Sequence, residues 1–120
     1  GKISSAPRED YAEAAVVALT GQGHEGKTYE LAGDEFYTLT DLAAEITAQS
    51  GKDIPYRNIP EADYAAALKN AGLPDGFAEA IASWDTGASQ NALFDDSHVL
   101  SKLIGRKTTP IAVSVQKALA

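Results

Sequence analysis

The chain has 120 residues, 44% hydrophobic and 22% charged, the balance of one soluble globular domain and not of a disordered or fibrous chain. It has no cysteine, which removes disulfides, thiolate nucleophiles and cysteine-held zinc or iron–sulfur centres, so redox chemistry needs a borrowed cofactor. Ten basic against seventeen acidic residues give a net charge of −7 with no basic cluster, which disfavours nucleic acid; no apolar run or signal-like start points to a membrane, and a cytoplasmic location is expected.

The opening residues GKISS place Ile3 in a short extended segment, and methionine is absent throughout, so the chain reads as a fragment of something longer. Over 7–19, Tyr11, Ala14, Ala15, Ala18 and Leu19 recur at helical spacing, with Glu9 and Glu13 opposite. Val16 and Val17 widen that stripe, so the helix is expected to be covered on two sides.

The next residues, TGQGHEGKTYEL, hold Gly21, Gly23 and Gly26 in the order G-x-G-x-x-G. A dinucleotide loop runs from strand to glycine turn to helix, because free N–H groups at a helix start must face the pyrophosphate. Here the order is helix, glycines, strand. Gly21 is therefore expected to be a left-handed C-cap, and Gly23 and Gly26 to turn the chain into a strand over 27–31, where Tyr29 and Leu31 alternate with Thr28 and Glu30.

Thr38 and Asp41 form a capping-box-like start to a second helix carrying Leu39, Leu42, Ala43 and Ile46 and ending at Gly51. The stretch DIPYRNI is extended, with Pro55 arguing for a sheet edge or loop. A third helix over 61–71 turns Tyr64, Leu68 and Ala71 inward and stops at Gly72; a fourth opens at LPDG and aligns Phe77, Ile81, Trp84 and Ala88, with Gly87 loosening its end. Asp95 or Asp96 is expected to cap a fifth helix closed by Gly105, and Thr109 to cap a sixth that begins at Pro110.

Few of these residues suggest chemistry. The cluster DDSH, 95–98, has the residue types of a hydrolytic triad, but helical neighbours diverge by about 100°, so capping explains it better. His24 and His98 lack ligand spacing for a metal, and no Y-x-x-x-K, G-x-x-x-x-G-K-[ST] or G-x-S-x-G motif occurs. The stripe Phe77, Ile81, Trp84 has two readings: a helix face packed on its own core, or one wall of a pocket for a flat apolar substrate.

Taken together, SSAPREDYAEAAVVALT, GKTYELAGDEFYTLTDLAAEI, AALKNAGLPDG and LSKLIGRKTTPIAVSV resemble the C-terminal part of the NmrA-like atypical short-chain dehydrogenases, nearest their type 2 NAD(P)H:quinone oxidoreductase branch. The resemblance rests on R-x-D-Y-A, Y-E-L-A-G-D, L-T-D-L-A, G-L-P-D-G and L-x-G-R-x-T-T. It implies an α/β protein in which residues 1–120 form a helix-rich C-terminal substrate lobe, with two or three short strands extending a parallel sheet. NAD(P)H would be held by an N-terminal Rossmann part outside this chain, and the parent would pass hydride to a quinone; this segment alone would be inactive. No cofactor glycine or catalytic residue transfers to it, and the pocket-facing candidates by analogy are Phe77, Ile81 and Trp84. Rival readings are an NmrA-like regulator that senses a dinucleotide without turnover, and an autonomous binding module. An unpartnered lobe is also expected to expose apolar surface and to self-associate as a homo-oligomer.

Overall fold

The computed structural model, which describes residues 1–120, has six helices, the first four with acidic residues in their first turns. They are α1 (Arg8–Thr20), α2 (Leu39–Ser50), α3 (Glu61–Asn70), α4 (Asp75–Ser89), α5 (Val99–Ile104) and α6 (Ile111–Leu119). Proline stands at the N-cap of α1, α3, α4 and α6, where its fixed φ suits the turn into a helix and its missing N–H costs nothing. Pro110 is thus the cap itself. The Thr109 hydroxyl, expected to cap α6, is instead bonded to Asp10.

The capping box of α2 forms as expected, with the Asp41 N–H donating to the Thr38 hydroxyl and the Thr38 N–H donating to the Asp41 carboxylate. Thr38→Ala should cost about 1 kcal/mol of stability, read as a lowered denaturant midpoint at unchanged slope, whereas Thr38→Ser should sit close to wild type.

Gly51 and Gly105 close α2 and α5 in the left-handed region, but Gly21 does not close α1 that way. Its N–H bonds the Val17 carbonyl at 2.8 Å while the chain leaves the helix extended, at φ −88°. Glycine is required there by crowding: a Cβ would meet the Val17 oxygen at 2.7 Å and the His24 ring at 3.0 Å.

The helices pack in pairs, α1 with α5, α2 with α6 and α3 with α4. A spine of extended chain joins them. Ile3 and Tyr37 exchange both backbone hydrogen bonds in one antiparallel bridge; the Ser4 N–H reaches the Leu93 carbonyl, and the Ser4 carbonyl accepts from Gly33. Gly33 runs so close to this spine that a Cβ would lie 2.2 Å from the Ser5 carbonyl oxygen.

The expected strands do not form as a sheet: residues 27–31 and 53–59 are extended but join no ladder, and the single bridge is antiparallel, not parallel. A strand needs a neighbour to take its alternate N–H and C=O groups, and no other segment of these 120 residues pairs with either stretch through backbone hydrogen bonds. The expectation that α1 is covered on two sides also fails within this chain, since Ala14 is buried whereas Val16 is largely exposed and Leu19 is 85% exposed. Only 11 of 120 residues are buried and the molecule measures 49 × 36 × 24 Å, so these paired helices share no large central core. No helix is long and apolar enough to cross a membrane.

Candidate functional site

Asp10 sits in the first turn of α1, where an acidic side chain suits the helix dipole in solvent, yet it is 1% exposed. Its burial is offset by a full set of donors. One carboxylate oxygen accepts from the Arg106 guanidinium at 2.8 Å and the Thr109 hydroxyl at 3.1 Å; the other accepts from the Thr109 N–H at 2.7 Å. Arg106 also donates to Glu13, one turn further along α1, at 2.6 Å. Burial pushes the Asp10 carboxyl up, but the Thr109 N–H, the Arg106 guanidinium and the Thr109 hydroxyl outweigh it and hold the group below the usual carboxylate value. Those same hydrogen bonds to Asp10 and Glu13 raise Arg106.

A second carboxylate repeats the design. Asp34 accepts from the Thr108 N–H and from His98 Nδ1, each at 2.9 Å, while its own N–H donates to the Thr108 hydroxyl at 2.8 Å. A carboxylate only accepts, so His98 Nδ1 carries the proton in this pair. Burial again raises Asp34, and the Ser101 and His98 side chains and the Thr108 N–H more than compensate, leaving it lowered. The two carboxylates clasp the 105–110 turn from both sides and fix α1, the 33–34 loop, α5 and α6 to one another.

The acceptor oxygens of this clasp are occupied by the chain's own donors, so it fastens and does not take protons from a substrate. His98 occupies the N-cap position of α5 at φ 58°, displacing the expected Asp95 or Asp96 cap. Asp95 instead takes the Ser97 N–H at 2.9 Å and the Ser97 hydroxyl at 2.6 Å. Ser97 and His98 thus face different carboxylates and form no nucleophile–base pair. His24, in the glycine turn, bonds the Tyr29 hydroxyl at 2.7 Å.

The glycine turn does not fit a dinucleotide. It follows the carbonyl end of α1, and its exit leads into extended chain, not into a helix start. Gly23 and Gly26 adopt positive φ, and a Cβ on either would meet nothing within 4 Å, so they turn the chain without forming a cradle.

A cleft lies elsewhere. Residues 56–59, the first turn of α2 and the C-terminal half of α4 enclose a cleft of about 580 Å³, a usual size for a small-molecule site. Tyr64 of α3 lines it; burial, and after it the Asp85 carboxylate, raise the Tyr64 phenol above its ordinary 10, so the hydroxyl stays protonated.

Phe77, Ile81 and Trp84 do not line this cleft. Phe77 and Trp84 meet edge to face at 6.4 Å on an open side of α4, 53% and 62% exposed, so the reading of the stripe as a packed core face does not hold. The buried residues of α3 and α4, which pack on each other, are alanines, Ala65 on one and Ala78, Ala82 and Ala88 on the other, and such small side chains permit close helix approach.

No family model matches the chain. Quinone oxidoreductase 2 of Escherichia coli K12 is 62% identical over 115 residues, 96% of this chain and 40% of that protein. A crystal structure of the NADPH-dependent quinone oxidoreductase from Escherichia coli complexed with NADPH superposes on all of the chain with a TM-score of 0.96 at 59% identity, the chain covering 42% of it. The chain is homologous to part of quinone oxidoreductase 2 of Escherichia coli. The wider reductase fold is shared: the triphenylmethane reductase of Citrobacter sp. matches 99% of the chain with a TM-score of 0.90 at 34% identity, over 41% of its own length. The chain thus spans about 40% of the relatives it matches.

The resemblance motifs have a physical meaning in the clasp. R-x-D-Y-A contributes Asp10, Y-E-L-A-G-D contributes Asp34, and L-x-G-R-x-T-T contributes Arg106, Thr108 and Thr109. Three motifs far apart in sequence meet at one fastening. The cleft residues Tyr56, Arg57 and Asn58 were missed by the sequence reading, although one signal was available: an aromatic, a cation and an amide in succession within a proline-marked stretch unsuited to a ladder.

Proposed function

We propose that residues 1–120 form the C-terminal, acceptor-side lobe of an NAD(P)H-dependent quinone oxidoreductase. The dinucleotide would be held by a part of the protein outside these residues, and the chain alone would be inactive. The observation that carries this reading is the 62% identity to Escherichia coli quinone oxidoreductase 2 along nearly the whole chain. The misfit of the glycine turn to a pyrophosphate supports the division of labour. A quinone accepts hydride readily, so an acceptor lobe needs chiefly to bind and orient a flat ring, a task that requires no nucleophile or metal here.

Two surfaces of α4 compete as the place where that ring binds: the Phe77, Ile81, Trp84 stripe and the cleft lined by Ala82, Asp85, Thr86, Ala88 and Ser89. The whole protein should consume NADPH only when a quinone such as 1,4-naphthoquinone is added, and the isolated chain should consume none. Tight NADPH binding by the whole protein without quinone-dependent turnover would instead identify a dinucleotide-sensing regulator.

A further inference from the structure

We infer that the cleft between residues 56–59, the start of α2 and the end of α4 is the acceptor site, with Arg57 and Asn58 as the donors that hold the carbonyl oxygens of a flat cyclic dione. The inference rests on the quinone reductase reading and names the site within it. A quinone offers two apolar ring faces and opposed carbonyl acceptors, so its site needs apolar walls and convergent N–H donors.

The cleft has apolar walls and carries two N–H-bearing side chains on its lining. Leu39, Tyr56 and Ile59 line it and, although grouped in a recess, keep roughly two-fifths of their surface open, an arrangement that leaves apolar area free to cover a ring. Arg57 lines the same recess, and its guanidinium is in no ion pair and no hydrogen bond with the rest of the chain. Arg106, by contrast, is saturated by Asp10 and Glu13. Next to Arg57, Asn58 lines the same recess with its Oδ1 3.5 Å from the Tyr56 hydroxyl, and its NH2 group is in no hydrogen bond with the rest of the chain. Phe77 and Trp84 offer apolar surface without a donor of this kind in the same recess, so they satisfy only half the requirement.

The test uses the whole protein that carries this chain. Arg57→Ala should raise the KM for 1,4-naphthoquinone about tenfold and leave the KM for NADPH within twofold. Asn58→Ala should act in the same direction, and Lys27→Ala, which removes an exposed cation from the glycine turn, should leave both constants unchanged. A quinone KM that is unmoved in Arg57→Ala and raised in Trp84→Ala overturns the assignment in favour of the aromatic stripe. If the wild type shows no quinone-dependent turnover, the functional reading fails separately, and equilibrium dialysis of naphthoquinone still decides the cleft: weaker binding by Arg57→Ala supports it, and equal binding overturns it.

Discussion

Asp10→Ala is expected to destabilise the protein by about 3 kcal/mol at pH 7, a fall of about 10 °C in melting temperature. Alanine removes the acceptor for the Thr109 N–H and for the Thr109 hydroxyl, and takes from Arg106 the better buried of its two carboxylates. The cost arises mainly from donors left without partners in a site water enters poorly. Arg106 is partly exposed and keeps Glu13, which is why the figure stays below that of a fully buried ion pair. Arg106→Lys should be milder, since an ammonium keeps the charge but lacks the planar fork that serves Asp10 and Glu13 together.

The same carboxylate sets an acid limit. A group whose pKa is lower in the folded than in the unfolded protein stabilises fully above its unfolded value, and that stability is lost as pH falls through the folded value. Asp10 and Asp34 are both lowered from 3.8, so the wild type should lose melting temperature chiefly below that pH. Asp10→Ala should start lower and fall less steeply there, because it has already lost one of the lowered carboxylates. Parallel melting curves down to pH 2.5 would remove Asp10 from this account.

The helices were legible because their punctuation is local: Thr38 with Asp41, and the glycines at 51 and 105, act within one turn. The faces of α4 were not. Phe77, Ile81 and Trp84 share a helical period with Ala78 and Ala82, and reasoning from size assigns the larger residues to the interior. Close approach of α3 selects the alanines instead. The strands stay unpaired within these residues for a different reason, since alternation in residues 27–31 describes a face but not the partner that turns a face into a sheet. Asp10 was legible only as a first-turn acid, because its burial depends on Arg106 and Thr109 almost a hundred residues away. The cleft was hidden likewise: its walls come from four separated stretches, and only the family motifs hinted at long-range assembly.

Leu100→Ala is expected to cost a further about 3 kcal/mol, by a mechanism that pH should not touch. Leu100 is 0% exposed and is the largest fully buried apolar side chain, seated on α5 where that helix packs on α1. Six residues are too few to hold a helix by propensity, so α5 exists because Leu100 anchors it. Truncation leaves a cavity whose walls, built from paired helices and not a deep core, collapse only in part. Leu100→Met, which conserves volume, should cost under about 1.5 kcal/mol. α5 also carries His98 at its start and delivers Gly105 and Arg106 from its end, so loosening it loosens the clasp. Combining Leu100→Ala with Asp10→Ala should therefore cost less than the two separate losses added together, by at least about 0.5 kcal/mol in a double-mutant cycle on denaturant midpoints. Strict additivity would mean that the α1–α5 contact and the Asp10 network act independently. Because the leucine has no proton to exchange, the gap between Leu100→Ala and wild type should persist below pH 3.8, where the gap for Asp10→Ala narrows.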